Sequence, residues 1–306
     1  MMFKRKDLLD IKSLSEDEIL NIVYTAQQMK KQIDNPDLRG ECNNKKNIVT
    51  LFYENSTRTK MSFMLASNYM GMKCEDLGIA TSSVNKGESL IDTAVSLDNM
   101  GIDAIIIRHQ NTGAGHLIAK NIRASVINAG DGSNEHPTQS LLDMLSILEV
   151  KNKFEGLKVA IIGDIANSRV ARSNIYALSK LGASITLGGP STLVSKNMQN
   201  LAKNVKVTYD IREAVKEADI VMGLRVQFER QKSMPFPNNR EYHELFGVNK
   251  QLLELAKEDV YVMHPGPVNR GVELSTEVID GKNSIINEQV KNGVATRMAI
   301  LKLLLN

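Results

Sequence analysis

The 306-residue chain has no tryptophan, two cysteines, Cys42 and Cys74, and only 5% aromatic residues. With no CxxC pair and no His-rich tract, the cysteines support neither a disulfide framework nor a thiolate zinc site, and they fit a reducing compartment. No apolar run approaches the roughly 18 residues of a membrane span. Lys and Arg number 38 against 35 Asp and Glu, a net charge of +3. The charges are dispersed, so the basic stripe of a nucleic-acid binder is missing, and the scarcity of aromatics argues against base stacking. Neither GxxxxGK[ST] nor GxGxxG occurs, and VAIIGDIANSR, with one glycine, is weak as a dinucleotide turn. The start, MMFKRKDLLDIKS, is basic, but Asp7 and Asp10 interrupt what a signal peptide would need as an apolar stretch. A cytoplasmic protein with no membrane or nucleic-acid partner is expected.

What the chain does contain is alternation. Short β-branched or apolar runs are separated by segments of helical period, the pattern of parallel α/β sheets, and the length suits two domains. Asn47–Tyr53, Asp103–Arg108 and Ala124–Asn128 read as buried strands, with a helix over ESLIDTAVSLDNM whose Leu90, Ala94 and Leu97 share a face and which stops at Gly101. In the second half LKVAIIGD, ASITLGG, VKVTYD and ADIVMGL are strands, and SRVARSNIYALSKLG and REAVKEA are helices. His136–Val150 carries Leu141, Leu142, Leu145 and Leu148 at helical spacing, with Pro137 in its first turn. The expected architecture is two open parallel-sheet α/β domains joined by a bridging helix, with a C-terminal helix packing back. The expected boundaries are 1–135, a bridge over 136–150, a second domain over 151–284, and a final helix over 285–306 packing across the domain pair. Gln227–Tyr242, rich in Pro, Asn and charge without period, is expected to be an irregular loop.

Residues that can do chemistry cluster after strands. Ser56-Thr57-Arg58-Thr59 lies between a strand and a helix, where free backbone N–H groups and the helix dipole favour an anion such as phosphate. Ordinary N-capping explains the same hydroxyls without a ligand. Arg108 ends the next strand, at the carboxyl edge where open α/β sheets collect ligands. DGSNEHPTQ follows the third, with His136 and Gln139 three apart on one helix face. In the second half Arg169, Arg225 with Gln227, and His264-Pro265-Gly266-Pro267 again follow strands. Two arginines suit a dicarboxylate because each planar fork can donate bidentately, although each also suits an ion pair. Lys86, in TSSVNKGES, reads by itself as a solvated loop lysine.

Taken in order, STRT, RH, DGSNEHPTQ, RVQ and HPGP resemble the aspartate/ornithine carbamoyltransferase family over nearly the whole chain. STRT and HPTQ are shared across that family. RVQ and HPGP, without the cysteine of an HCLP block, resemble its aspartate branch, the aspartate carbamoyltransferase catalytic chains. The resemblance implies carbamoyl transfer from carbamoyl phosphate to L-aspartate in de novo pyrimidine synthesis, with no cofactor and no metal. It implies that Ser56, Thr57, Arg58, Thr59, Arg108, His136 and Gln139, with the Pro265, Gly266 and Pro267 backbone, bind carbamoyl phosphate. Of these, Thr59, Arg108 and His136 would stabilise the charge that develops on the carbamoyl oxygen. Lys86, Arg169, Arg225 and Gln227 would hold aspartate. Ser82 and Lys86 would come from the adjacent subunit of a homotrimer, which replaces the bland reading of Lys86; regulatory chains or pathway enzymes as partners stay open. Two departures are Lys60, where many members have Arg, and Gly266, where others have Leu.

Overall fold

The computed structural model describes residues 3–40, 45–78, 87–226 and 238–305. The chain divides into two compact units, residues 1–145 with 291–306, and residues 146–290.

The first unit opens with helix α1 (Glu16–Asp34), whose start is a capping box: Ser15 accepts from the Glu18 N–H and Glu18 accepts from the Ser15 N–H. Ile19, Ile22, Val23, Ala26 and Met29 recur at helical spacing and are its buried stripe. There follow β1 (Asn47–Phe52), α2 (Thr57–Tyr69), β2 (Lys73–Leu77), α3 (Leu90–Asn99), β3 (Ala104–His109), α4 (Ala114–Ala119) and β4 (Ser125–Asp131). All pairings are parallel, in the order β2-β1-β3-β4. The runs of β1, β3 and β4 are β-branched and buried because helices cover a parallel sheet on both faces. Val49, Leu51, Ile105, Ile107 and Val126 form one face of the core with Ala94 and Leu97 of α3 and Ala114 and Ile118 of α4. Strand β2, KCEDL, is an edge strand largely open to solvent, where charge discourages pairing with another chain. Gly101 follows α3 in the left-handed conformation (φ +87°), as its place after the helix predicts.

Helix α5 (Pro137–Lys151) begins in the first unit and ends in the second. The second unit continues with β5 (Lys158–Gly163), α6 (Arg169–Lys180), β6 (Ser184–Gly188), β7 (Val205–Thr208), α7 (Ile211–Val215), β8 (Ile220–Leu224), α8 (Asn239–Phe246), α9 (Lys250–Leu253), β9 (Tyr261–Met263) and α10 (Thr276–Ile279). Its sheet is also parallel throughout, in the order β7-β6-β5-β8-β9. Ala160, Ile162, Val221 and Val262 pack with Ile211, Val215, Val248, Leu252, Leu274 and Val278. The last helix, α11 (Ile286–Leu305), belongs to the first unit from Lys291 onward.

The expected irregular loop over 227–242 needs correction at its end. Residues 227–237 lie outside the described residues, but Asn238 caps α8 through its side chain, which accepts from the Glu241 N–H. One turn apart, Tyr242 and Phe246 bring their rings to 6.0 Å, and Tyr242 is fully buried. The helix is short and its apolar pair sparse, so charged residues dominate its composition.

Candidate active site

In both units the strand order reverses once, between β1 and β3 and between β5 and β8. At such a switch point the connections leave toward opposite faces, opening a crevice at the carboxyl ends. Of the sequence-predicted residues that are described, all follow or end strands at or beside these two reversals.

In the first unit Phe52 and Arg108 are partners on the last rung of β1 and β3. Beyond Phe52 the chain turns into α2, with Ser56 at its N-cap. The Ser15, Ser89, Ser168, Asn238, Asn249 and Ser275 side chains each accept a backbone N–H at their helix starts. Ser56, by contrast, makes no side-chain capping bond. The capping alternative therefore does not account for this hydroxyl. Arg58 is exposed and Thr59 buried. One residue on, Lys60 Nζ lies 2.9 Å from Asp76 Oδ2, and Thr50 Oγ1 donates to Asp76 Oδ1 at 2.7 Å. These bonds tie the first turn of α2 to β1 and β2 and, with the positive charge of Lys60, hold the Asp76 carboxyl below its ordinary range against the upward pull of burial.

Arg108 is aimed by its own strand. Across β3 and β4 the rungs pass from Ile107–Asn128 to His109–Asp131, so β4 carries one extra residue opposite Arg108. Arg108 Nη1 donates to Ala129 O in that bulge at 3.4 Å, and Nε lies 3.4 Å from Glu54 Oε2. His109, on the other face, is tilted against Tyr53 with ring centroids 4.7 Å apart. Burial lowers its pKa, which favours the neutral ring.

The turn into α5 is tied down by Asp131. Its Oδ1 accepts from Asn128 Nδ2 (2.9 Å) and the Glu135 N–H (3.1 Å), and its Oδ2 from the Gly113 N–H (2.8 Å). His136 then precedes Pro137, the first residue of α5, with Nδ1 3.5 Å from Thr138 Oγ1, and Gln139 Nε2 donates to Asp143 Oδ1 at 2.9 Å. His136, Thr138, Gln139 and Asp143 are all buried. Thr59, Arg108, His136 and Gln139 thus come from the ends of three adjacent strands.

The second unit repeats the design. Ser168 caps α6, and Arg169, its first residue, is 5% exposed. A buried cation at the positive end of a helix works against the helix dipole and favours an anionic neighbour. Arg225 directly follows β8, the neighbouring strand. Next again, β9 leads to His264, whose N–H donates to Gln289 Oε1 (2.9 Å) and whose Nδ1 accepts from the Gly266 N–H (2.9 Å). Its Nε2 lies 3.2 Å from Glu273 Oε1, which also accepts from the Asn269 N–H at 2.7 Å. These bonds fix the loop containing Pro265, Gly266 and Pro267, with a cis peptide between the last two. Ser82, Lys86 and Gln227 lie outside the described residues.

Sequence reasoning passed over Glu54, Asp131, Asp143 and Glu273. Asp143 left a signal, a carboxylate inside the apolar stripe Leu141-Leu142-Leu145. Among the described residues no group of His, Cys, Asp and Glu is arranged to hold a metal, and no helix is long and apolar enough to cross a membrane. A cavity of about 400 Å³ lined by Tyr209, Arg212, Leu245 and Asn249 contains none of the residues named for either ligand.

Two parallel sheets, each presenting arginine and hydrogen-bonding side chains at its switch point, define an α/β protein built to hold small anionic molecules. The comparisons narrow that class. Residues 6–149 match the family model "Aspartate/ornithine carbamoyltransferase, carbamoyl-P binding domain", and residues 155–304 match its "Asp/Orn binding domain". The chain belongs to the aspartate/ornithine carbamoyltransferase family. It is 56% identical to the aspartate carbamoyltransferase catalytic subunit of Ruminiclostridium cellulolyticum over 304 residues, covering 99% of this chain and 96% of that one. The Acetivibrio thermocellus subunit is 56% identical over 309 residues, covering 99% and 97%. Among solved structures, aspartate transcarbamoylase from Trypanosoma cruzi in complex with carbamoyl aspartate and phosphate superposes with a TM-score of 0.89 at 28% identity, covering 99% and 97%. Ornithine carbamoyltransferase from Pyrococcus furiosus gives 0.89 at 29%, covering 100% and 98%.

Proposed function

We propose that this chain transfers the carbamoyl group of carbamoyl phosphate to the amine of L-aspartate, giving N-carbamoyl-L-aspartate and phosphate, an aspartate carbamoyltransferase step of pyrimidine synthesis. The observation that supports the reading is that Ser56, Thr59, Arg108, His136 and Gln139 follow or end three adjacent strands of one parallel sheet, with the Ser56 side chain making no capping bond. The relatives at 56% identity, named for this activity, support the aspartate branch.

In this reading Ser56, Thr57, Arg58 and Thr59 take the phosphate on hydroxyls, guanidinium and helix N–H groups. Arg108, His136 and Thr59 donate to the carbamoyl oxygen as it gains charge, and Gln139 recognises the rest of that group. Arg169 and Arg225, with Gln227 and Lys86, hold the aspartate carboxylates, and the Pro265, Gly266 and Pro267 backbone completes the carbamoyl phosphate contacts. The aspartate amine attacks the carbamoyl carbon, the bond from that carbon to the phosphate oxygen breaks, and the departing phosphate takes the amine proton. No protein nucleophile is needed; alignment and electrostatic stabilisation supply the rate.

The domain division at 135 and 150, the cytoplasmic location and a homotrimer in which Ser82 and Lys86 serve a neighbouring subunit belong to the same proposal. Phosphate release from carbamoyl phosphate, measured with L-aspartate and L-ornithine side by side, tests the reaction. Aspartate-dependent release with carbamoyl-aspartate formed is expected; ornithine-dependent release would overturn the assignment of Arg225. Mixing inactive Lys86→Ala and Arg58→Ala proteins tests the shared site. Recovered activity is expected, and none after verified subunit exchange would show each site to be self-contained.

A further inference from the structure

Two buried charged side chains lie close to the residues expected to bind the carbamoyl group. Arg297 of α11 is 3% exposed and Asp143 of α5 is fully buried. The guanidinium lies over the Phe63 ring of α2, 5.0 Å from its centroid. Its Nη1 donates to Gly293 O at 2.9 Å and its Nη2 to Thr138 Oγ1 at 3.4 Å. Space for it depends on Gly293, where a Cβ would stand 2.7 Å from Nη1. Burial lowers the Arg297 pKa to about 9 while the Asp143 charge opposes that fall, so the group remains a cation at neutral pH.

Buried opposite charges are seldom retained for stability, since apolar residues of the same volume are often as good or better. What this arrangement does is tie down the start of α5, beside His136 and Gln139. Thr138, which receives the Arg297 bond, is the neighbour of His136 Nδ1, and Asp143 receives the Gln139 amide. A carboxylate only accepts hydrogen bonds, whereas an amide has one accepting end and one donating end. The amide nitrogen of Gln139 faces the Asp143 carboxyl oxygen, so its own oxygen is the end available to an N–H of the ligand. A protonated acid, or an asparagine, would accommodate either orientation.

We propose that Asp143 and Arg297 are a positioning device for the start of α5: Asp143 sets the Gln139 amide to recognise the amine end of the carbamoyl group, and Arg297 holds Thr138 beside His136. The inference rests on Gln139 being a carbamoyl phosphate ligand, as argued above. It makes Asp143 a determinant of selectivity for an –NH2 group over a methyl group on the same carbonyl carbon.

The test uses two stable phosphonates, phosphonoacetamide and acetonylphosphonate, which share a skeleton and differ by an amine against a methyl. Their binding to the full-length protein is measured by calorimetry, with thermal melting as the check on folding. Wild type is expected to prefer the amide. Asp143→Asn is expected to weaken the amide roughly tenfold, the worth of about one buried hydrogen bond, and to leave the methyl ketone within about twofold. Arg297→Met, which frees Thr138 beside His136, should weaken both ligands, since both carry the carbonyl oxygen, and Arg297→Lys, which keeps a cationic donor, should recover much of the binding. Equal losses for both ligands in Asp143→Asn would reduce that residue to packing and overturn the proposal, as would no loss at all in either Asp143→Asn or Arg297→Met. Failure of wild type to bind either ligand would instead overturn the carbamoyl phosphate reading on which it rests.

Discussion

Gly163 and Leu224 face one another on the last rung shared by β5 and β8, and a Cβ on Gly163 would lie 2.5 Å from the Leu224 carbonyl oxygen. Gly163 also has φ +128°, a conformation L side chains rarely adopt. This rung is the reversal of the second sheet, with Arg169 and Arg225 a few residues beyond it. Gly163→Ala is expected to push the strands apart there, costing about 1–3 kcal/mol of stability and raising the KM for aspartate more than that for carbamoyl phosphate. Urea unfolding and two-substrate kinetics check this; equal changes in both KM values would separate Gly163 from the aspartate side.

Arg58 is exposed at the start of α2 and assigned to phosphate. Arg58→Ala should lose a charge-assisted hydrogen bond, about 1.5–3 kcal/mol, or about 10- to 100-fold in carbamoyl phosphate affinity, while the melting temperature stays near wild type. Unchanged affinity would remove Arg58 from the site.

Arg169 cannot be replaced by Lys without loss if it grips a carboxylate with its planar fork. Arg169→Lys is expected to raise the aspartate KM about tenfold or more, with carbamoyl phosphate binding in the absence of aspartate unaffected. Steady-state kinetics with direct binding of the first substrate distinguishes this from a folding defect.

Gly293 makes room for the Arg297 guanidinium. In an exposed helix Gly→Ala would stabilise by up to about 1 kcal/mol through backbone propensity. Here the sign should reverse, because the new methyl meets Nη1, and the melting temperature should fall. A rise would mean that α11 and the guanidinium yield without cost.

The Glu18 carboxylate, held by Arg5 Nε at 2.5 Å and by the Ser15 N–H, has its pKa lowered chiefly by the Arg5 bond, with burial opposing. Its contribution to stability is therefore present above the ordinary glutamate value of 4.5 and lost as the pH falls through the lower folded value. Glu18→Gln should cost about 0.5–1 kcal/mol at neutral pH, since the pair is partly solvent-screened, and almost nothing in acid. Urea melts of both proteins across that range measure it; a cost independent of pH would contradict the assignment.

The carboxyl-end placement of the motifs was legible because buried parallel strands are continuous β-branched runs, and NIVTLF, AIIIRH and KVAIIG need no partner to be recognised. Helix α1 was legible in the SEDE capping box and the apolar stripe that follows it, but it bears none of the residues assigned to either ligand. Strand β2 escaped because KCEDL is a polar edge whose only claim to being a strand is the neighbour it pairs with. Local patterning also could not tell whether Ser56 caps its helix, since the same residue serves either purpose and only backbone geometry separates them.

The amino-acid sequence by itself determined the alternation of strands and helices and the residue types at each strand end, since these follow from burial, periodicity and side-chain chemistry over a few residues. Tertiary structure alone decided which strands are neighbours and where their order reverses, and hence that Thr59, Arg108 and His136 share one edge. It also decided that Arg297 reaches Thr138, 159 residues away along the chain. No local pattern encodes that meeting, because it depends on how whole helices pack once the sheet has formed.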